Sequence, residues 1–214
     1  MKSISLNEGD SHDLETIGRA SLQVVHDIKN QINGLKLYAT FLRRRMERDA
    51  RAADELETLA KLINGLDRAA EDATLIVRFA RPLEVRRRQS DLRLALKDSI
   101  PNADAADASF GGEFDLQTLT EAMRLIIAGI AAFTKVEVES VSAPEVRIED
   151  GTPTRAVIAW HNLRLPFDKN DESLFRSFIG TGGLRFALAA KIIEAHGGTV
   201  DHDRQSLHVR LPLN

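Results

Sequence analysis

The sequence predicts an α+β chain in which an N-terminal helical hairpin, residues 1–82, precedes an α/β sandwich, residues 83–214. Three observations predict it. Apolar residues recur at helical spacing through the first third of the chain, Pro82 interrupts them, and short helical and strand-like segments alternate afterwards.

From Leu14 to Met46, Leu14, Ile17, Val24, Val25, Ile28, Ile32, Leu35, Ala39, Leu42 and Met46 fall mostly three or four apart, which predicts a long amphipathic helix. Ser11 is its expected N-cap, and the charged run Arg43 to Arg51 is expected to end in a turn. The same spacing runs from Ala52 to Arg81 through Leu56, Leu59, Ile63, Leu66, Ala70, Ala73, Val77 and Ala80. Pro82 stops it, because a proline disfavours helix at the residue before it. Each hairpin carries one apolar stripe and no other segment long enough to cover it. Pairing with a second copy into a dimeric four-helix bundle is therefore expected.

Leu83 to Arg88 reads as a basic linker. Asp91 to Ile100, Asp115 to Thr134 and Leu184 to His196 have helical patterns. Val136 to Ser142, Glu145 to Glu149 and Arg155 to Trp160 have strand patterns, and Thr199 to Asp201 with Ser206 to Leu211 predicts a closing hairpin. Glu172 to Phe178 is ambiguous. This order predicts helices on one face of a mixed sheet.

The 214 residues include 29 Lys plus Arg and 32 Asp plus Glu, so neither sign is in the excess that would hold a polyphosphate backbone, and nucleic acid is not an expected ligand. Without cysteine, disulfides, thiolate chemistry and Cys-based zinc sites are excluded. Met1 to Ser11 lacks the apolar core of a signal peptide, and no stretch approaches the roughly 20 apolar residues of a membrane span, so no span and a cytoplasmic location are expected.

His26, Asp27, Ile28, Lys29 and Asn30 stand together in the first helix. At helical spacing His26 and Asn30 share a face, while Val25, Ile28 and Ile32 turn towards the apolar stripe, so the imidazole is expected to point to solvent. A neutral imidazole can attack phosphorus, and the phosphoramidate it forms is labile enough to be passed on. Asp27 is placed to hydrogen-bond one ring nitrogen and leave the other free. Asn30 is placed to orient a water or a partner's acyl phosphate.

This run, continued by Gln31, Ile32, Asn33 and Leu35, resembles the phospho-acceptor motif in the dimerisation and histidine phosphotransfer domain of sensor histidine kinases. The resemblance implies that His26 is the phospho-acceptor, that Asp27 assists phosphorylation, that Asn30 assists dephosphorylation, and that Lys29 belongs to the site. Gln31 stands where the family has proline, which affects a helix bend more than the chemistry.

The C-terminal half resembles the ATP-binding (Bergerat) domain of the same kinases. Ala187 to Thr199 is similar to its closing helix and turn, Gly180 to Phe186 to its glycine segment, and Leu174 to Phe178 to its Phe-containing box. The nucleotide-holding residues are missing. Leu125 to Thr134 lacks the Asn that would hold magnesium, and His161 to Pro166 replaces an Asp-x-Gly-x-Gly run without its carboxylate or glycines. Only Ile179 separates Phe178 from Gly180 where kinases carry a lid, and Arg185 stands at a glycine position. Gly180, Gly182 and Gly183 are then vestigial, best read as a flexible turn before a helix. His196, followed by Gly197 and Gly198, reads as a helix cap, and His161, His202 and His208 show no metal spacing.

The expectation is a homodimeric histidine phosphotransferase with a degenerate ATPase-like domain, which shuttles a phosphoryl group between the aspartates of response-regulator receiver domains through His26. The chain itself is expected to bind no cofactor, with Mg2+ supplied by the receiver. The alternatives are an active histidine kinase that uses ATP, and a dimeric adaptor that binds response regulators without catalysis.

Overall fold

The structure is a computed structural model that describes residues 8–49, 51–99, 110–165, 173–176, 180–203 and 205–213. It comprises two compact units, Met1–Arg81 and Pro82–Asn214.

The first unit is a helical hairpin of α1, Glu8–Arg48, and α2, Ala53–Ala80. Helix α1 is already under way at Glu8, so Ser11 lies within it and is not its N-cap. Asp54 and Glu55 stabilise the first turn of α2 against the partial positive charge of its free N–H groups. Arg81 takes an extended conformation before Pro82 and ends the helix as the sequence requires. The hairpin is held by a small core of Ala39, Leu59 and Ile63, flanked by Met46 and Leu66, and by the interhelical ion pair of Lys36 with Asp67.

That core is thin because α1 carries two apolar seams. Val25, Ile32, Ala39 and Met46 lie on the half-buried or buried side. Val24, Ile28, Leu35, Tyr38 and Leu42 remain 45–72% exposed.

The second unit begins with a two-stranded antiparallel sheet of β1, Arg88–Asp91, and β2, Gly111–Phe114. Helix α3, Leu92–Ser99, follows β1, with the Asp91 carboxylate accepting from the Arg93 backbone N–H at 3.0 Å. Helix α4, Leu116–Thr134, starts at the N-cap Asp115 and ends at Lys135, which is left-handed at φ 57°. A 3-10 turn, Val138–Ser140, leads to β3, Glu145–Glu149, and β4, Arg155–Trp160. The short α5, Ser173–Arg176, precedes α6, Gly180–Ala195, and β5, Thr199–His202, with β6, Leu207–Pro212, closes the unit.

Strands β3 to β6 form one sheet in the order β3-β4-β6-β5, with every pair antiparallel, so the sheet is not mixed as predicted. Ala156, Ile158 and Trp160 face the helices beside their register partners Leu211, Val209 and Leu207, all nearly dry. On the other face, which also holds the buried Val157 and Ala159, Arg210 pairs with Asp201 and, at 3.5 Å, with Glu149. Helix α4 packs against both α3 and α6. By length and composition α4 could cross a membrane, but Leu119, Met123, Ile126 and Ile130 are buried in the core of this unit.

The predicted strand Val136 to Ser142 is absent. After left-handed Lys135, the Val136 N–H turns back to Ala131 O at 3.1 Å, and Val136 and Val138 stay exposed without a strand to pair with. Strands β1 and β2 went unpredicted, and Arg88, assigned to the linker, is the first residue of β1.

Candidate phosphotransfer site

Helix α1 presents Gln23, His26, Asp27 and Asn30 to solvent within two turns. The His26 side chain is 47% exposed and that of Asp27 58%. The imidazole is thus accessible in this chain, because the residues that pack towards α2 lie on the other side of the helix, at Val25 and Ile32.

Two i,i+4 pairs make up the site. Asn30 Nδ2 lies 3.3 Å from His26 Nδ1, and Gln23 Nε2 donates to Asp27 Oδ1 at 2.9 Å. Asp27 Oδ1 is 3.7 Å from His26 Nδ1, beyond hydrogen-bond length, so Asn30 holds the ring where the sequence suggested Asp27. Lys29 is half-buried on the neighbouring side of the helix and joins neither pair. Gln23 was missed. The signal that could have found it is its i,i+4 spacing to Asp27.

The geometry leaves Nε2 directed away from Nδ1 and its two neighbours. Donation from Asn30 places the ring proton on Nε2, whereas attack through Nε2 requires the tautomer with the proton on Nδ1.

In the second unit, the segment expected to be a glycine-rich turn is the first turn of α6, which begins at Gly180 and not at Leu184. Gly182 and Gly183 are buried. A Cβ at Gly182 would come within 2.9 Å of the Phe133 ring, and one at Gly129 within 2.7 Å of Phe186. The rings of Phe133 and Phe186 stack at 5.5 Å and 6°, and Phe175 meets Phe186 edge-on at 5.6 Å. Arg185 donates to Ala128 O at 3.2 Å and ties α6 to α4.

After β4, Asn162 turns the chain at φ 59°, and Leu163 and Leu165 bury their side chains. Phe186 and Phe133 occupy the space beside Gly129 and Gly182, and His161 to Leu165 include no carboxylate. Ser177 to Ile179, with the expected lid deletion, lie outside the described residues, as does Pro166.

His196 is the predicted helix cap. The Gly197 N–H bonds to Glu194 O at 2.9 Å and the Gly198 N–H to Ile193 O at 3.0 Å, with Gly197 at φ 74°, which is the Schellman arrangement. The His196 ring, 1% exposed, lies 2.8 Å through Nδ1 from Ile192 O and accepts from the Asp115 N–H at 3.2 Å through Nε2. Burial lowers its pKa below the usual histidine value. Burial also raises that of Asp115, but N–H groups of Arg86, Thr118 and Gln117 outweigh it and hold the carboxyl below its ordinary value. His161, His202 and His208 join no metal-holding group among the described residues.

No family model matches the chain, and no curated protein matches it. Among solved structures, the chain is similar to the histidine kinase AdeS of Acinetobacter baumannii, with 15% identity and a TM-score of 0.49 over 84% of this chain and 95% of that one.

Proposed function

We propose that the chain is a histidine phosphotransfer protein of a two-component phosphorelay, acting as a homodimer through its helical hairpin. The observation that carries this reading is the exposed His26 ring, engaged through Nδ1, in a chain whose glycine positions on α4 and α6 are filled by Phe133 and Phe186. The resemblance of residues 26–35 to a phospho-acceptor motif supplies the reaction class, and the poor fit of the second unit to a nucleotide argues against ATP as the donor.

In the reaction, the lone pair of His26 Nε2 attacks the phosphorus of an aspartyl phosphate on a receiver domain. The P–N bond forms as the P–O bond to the receiver carboxylate breaks, and that carboxylate keeps the electron pair. The ring then sheds its Nδ1 proton towards Asp27, the nearest carboxylate. Transfer to a second receiver reverses these steps. Mg2+ belongs to the receiver in this scheme, and the chain brings no metal of its own.

The exposed seam of α1 supports the homodimer, since apolar side chains at this spacing are buried in bundles by a second hairpin. The test is incubation with a phosphorylated receiver domain. Phosphate should move to the wild-type chain and not to His26→Ala, and transfer that persists in the variant rejects the proposal.

A further inference from the structure

His26 Nδ1 has two neighbours of opposite character. The Asn30 amide nitrogen at 3.3 Å donates, so it favours the ring form whose proton sits on Nε2. The Asp27 carboxylate at 3.7 Å accepts, so it favours the form whose proton sits on Nδ1. Only the second form leaves a lone pair on Nε2, the nitrogen that faces away from both groups. Which tautomer prevails therefore depends on how well the carboxylate is held towards the ring.

Asp27 cannot hold itself. Its side chain is 58% exposed, and an exposed aspartate samples several χ1 rotamers, so the backbone alone does not fix the distance of its oxygens from the ring. The restraint comes from Gln23, whose Nε2 donates at 2.9 Å to Oδ1, the same oxygen that lies nearest His26. Gln23 stands one helical turn before Asp27, and its described hydrogen bond is to that carboxylate and not to the ring.

We infer that Gln23 is a positioning residue, which selects the nucleophilic tautomer of His26 by fixing the rotamer of Asp27. As a role in phosphoryl transfer it rests on the phosphorelay reading, but its effect on the ring does not require a receiver. Exposed Gln–Asp pairs at this spacing bias helices only slightly, which sets the expected effect at about twofold.

The test uses the full chain with 15N-labelled histidine, at mildly alkaline pH, in wild type, Gln23→Met and Gln23→Lys. Methionine keeps the length and helix propensity of glutamine but removes the donor, whereas lysine keeps a donor. Ring 15N shifts of His26 should show the tautomer ratio moving about twofold towards the Nε2–H form in Gln23→Met and returning in Gln23→Lys. Labelling of His26 by phosphoramidate, a small donor that releases ammonia as the new P–N bond forms, should slow by the same factor in Gln23→Met.

Ring shifts and labelling unchanged in Gln23→Met would overturn the inference, as would failure of lysine to restore them. If both respond while a phosphorylated receiver leaves His26 unlabelled, the positioning role stands and the phosphorelay reading alone falls.

Discussion

Gly129 on α4 lies so close to Phe186 on α6 that a Cβ added there would sit 2.7 Å from Cε1 of the ring. Gly182 on α6 returns the arrangement against Phe133 of α4, at 2.9 Å. Each helix thus offers a glycine to the other's phenylalanine, and the two rings stack in the space this creates. The glycines are explained by the approach of two helices, with no phosphate required.

Gly129→Ala should therefore destabilise the second unit, even though alanine is the better helix former by about 1 kcal/mol. Overpacking a filled core costs about 1–3 kcal/mol, and Phe186 is fully buried, so its ring has nowhere to go. A net loss of about 1 kcal/mol is expected by urea unfolding. Gly182→Ala should cost less, because Phe133 is only half-buried and can yield. A larger loss at Gly182 than at Gly129 would contradict the interlock.

Mg2+ and ATP should leave the melting temperature unchanged. Ligand that binds the native state at 100 times its Kd adds about 2.7 kcal/mol, which moves a transition by several degrees. A saturable rise in melting temperature with nucleotide would show that the rings between α4 and α6 move aside, and would restore ATP as a donor to His26.

The exposed seam of α1 makes a prediction about assembly. Val24, Ile28, Gln31, Leu35, Tyr38 and Leu42 alternate spacings of four and three, the pattern of a helix that meets a partner helix along its length. Leu35→Glu would bury a charge in such a seam and should turn a dimer into a monomer in sedimentation equilibrium. Gln31→Leu should tighten the dimer while loosening its register, since a polar residue in an apolar seam specifies alignment at a cost in stability. A wild-type chain that sediments as a monomer at micromolar concentration would reject the homodimer.

The hairpin was legible in the sequence because long helices repeat their apolar period many times and Pro82 marks the end. Strands β1 and β2 were not. They are four residues each, one in a basic run and the other opened by Gly111 and Gly112, and neither shows an alternation to detect. Val136 to Ser142 misled for the opposite reason, since its valines suit a strand but have no strand beside them. The turn of glycines before Leu184 proved helical because partners on α4, invisible in the local sequence, reward close approach. At the candidate site, the motif pointed to His26, Asp27 and Asn30 as neighbours on one helix, whereas the pairing of Gln23 with Asp27 rests on rotamers that spacing permits without dictating.

Acid should weaken the second unit through His196. Both ring nitrogens are committed in the neutral form, with Nδ1–H donating to Ile192 O and Nε2 accepting from the Asp115 N–H. A second proton would place an N–H against an N–H and a charge in a dry site beside the Arg87 guanidinium, with the Asp115 carboxylate as the nearest opposing charge. Burial accordingly depresses the folded-state pKa below the ordinary histidine value. The unfolded chain then binds the proton more readily, so stability is complete above that value and falls as pH drops through it, until the folded-state pKa is passed. The depressed Asp115 acts in a separate window below pH 3.8, where the stability it contributes above that pH is lost. His208 is also lowered by burial and falls in the window of His196, so His208→Gln serves as the control. Glutamine can donate and accept as neutral histidine does but takes no proton, so His196→Gln should show a flatter stability profile between pH 7.5 and 5.5 than wild type, with a modest loss of about 1 kcal/mol at pH 7.5. Parallel profiles for wild type and His196→Gln would show that the proton is taken up elsewhere.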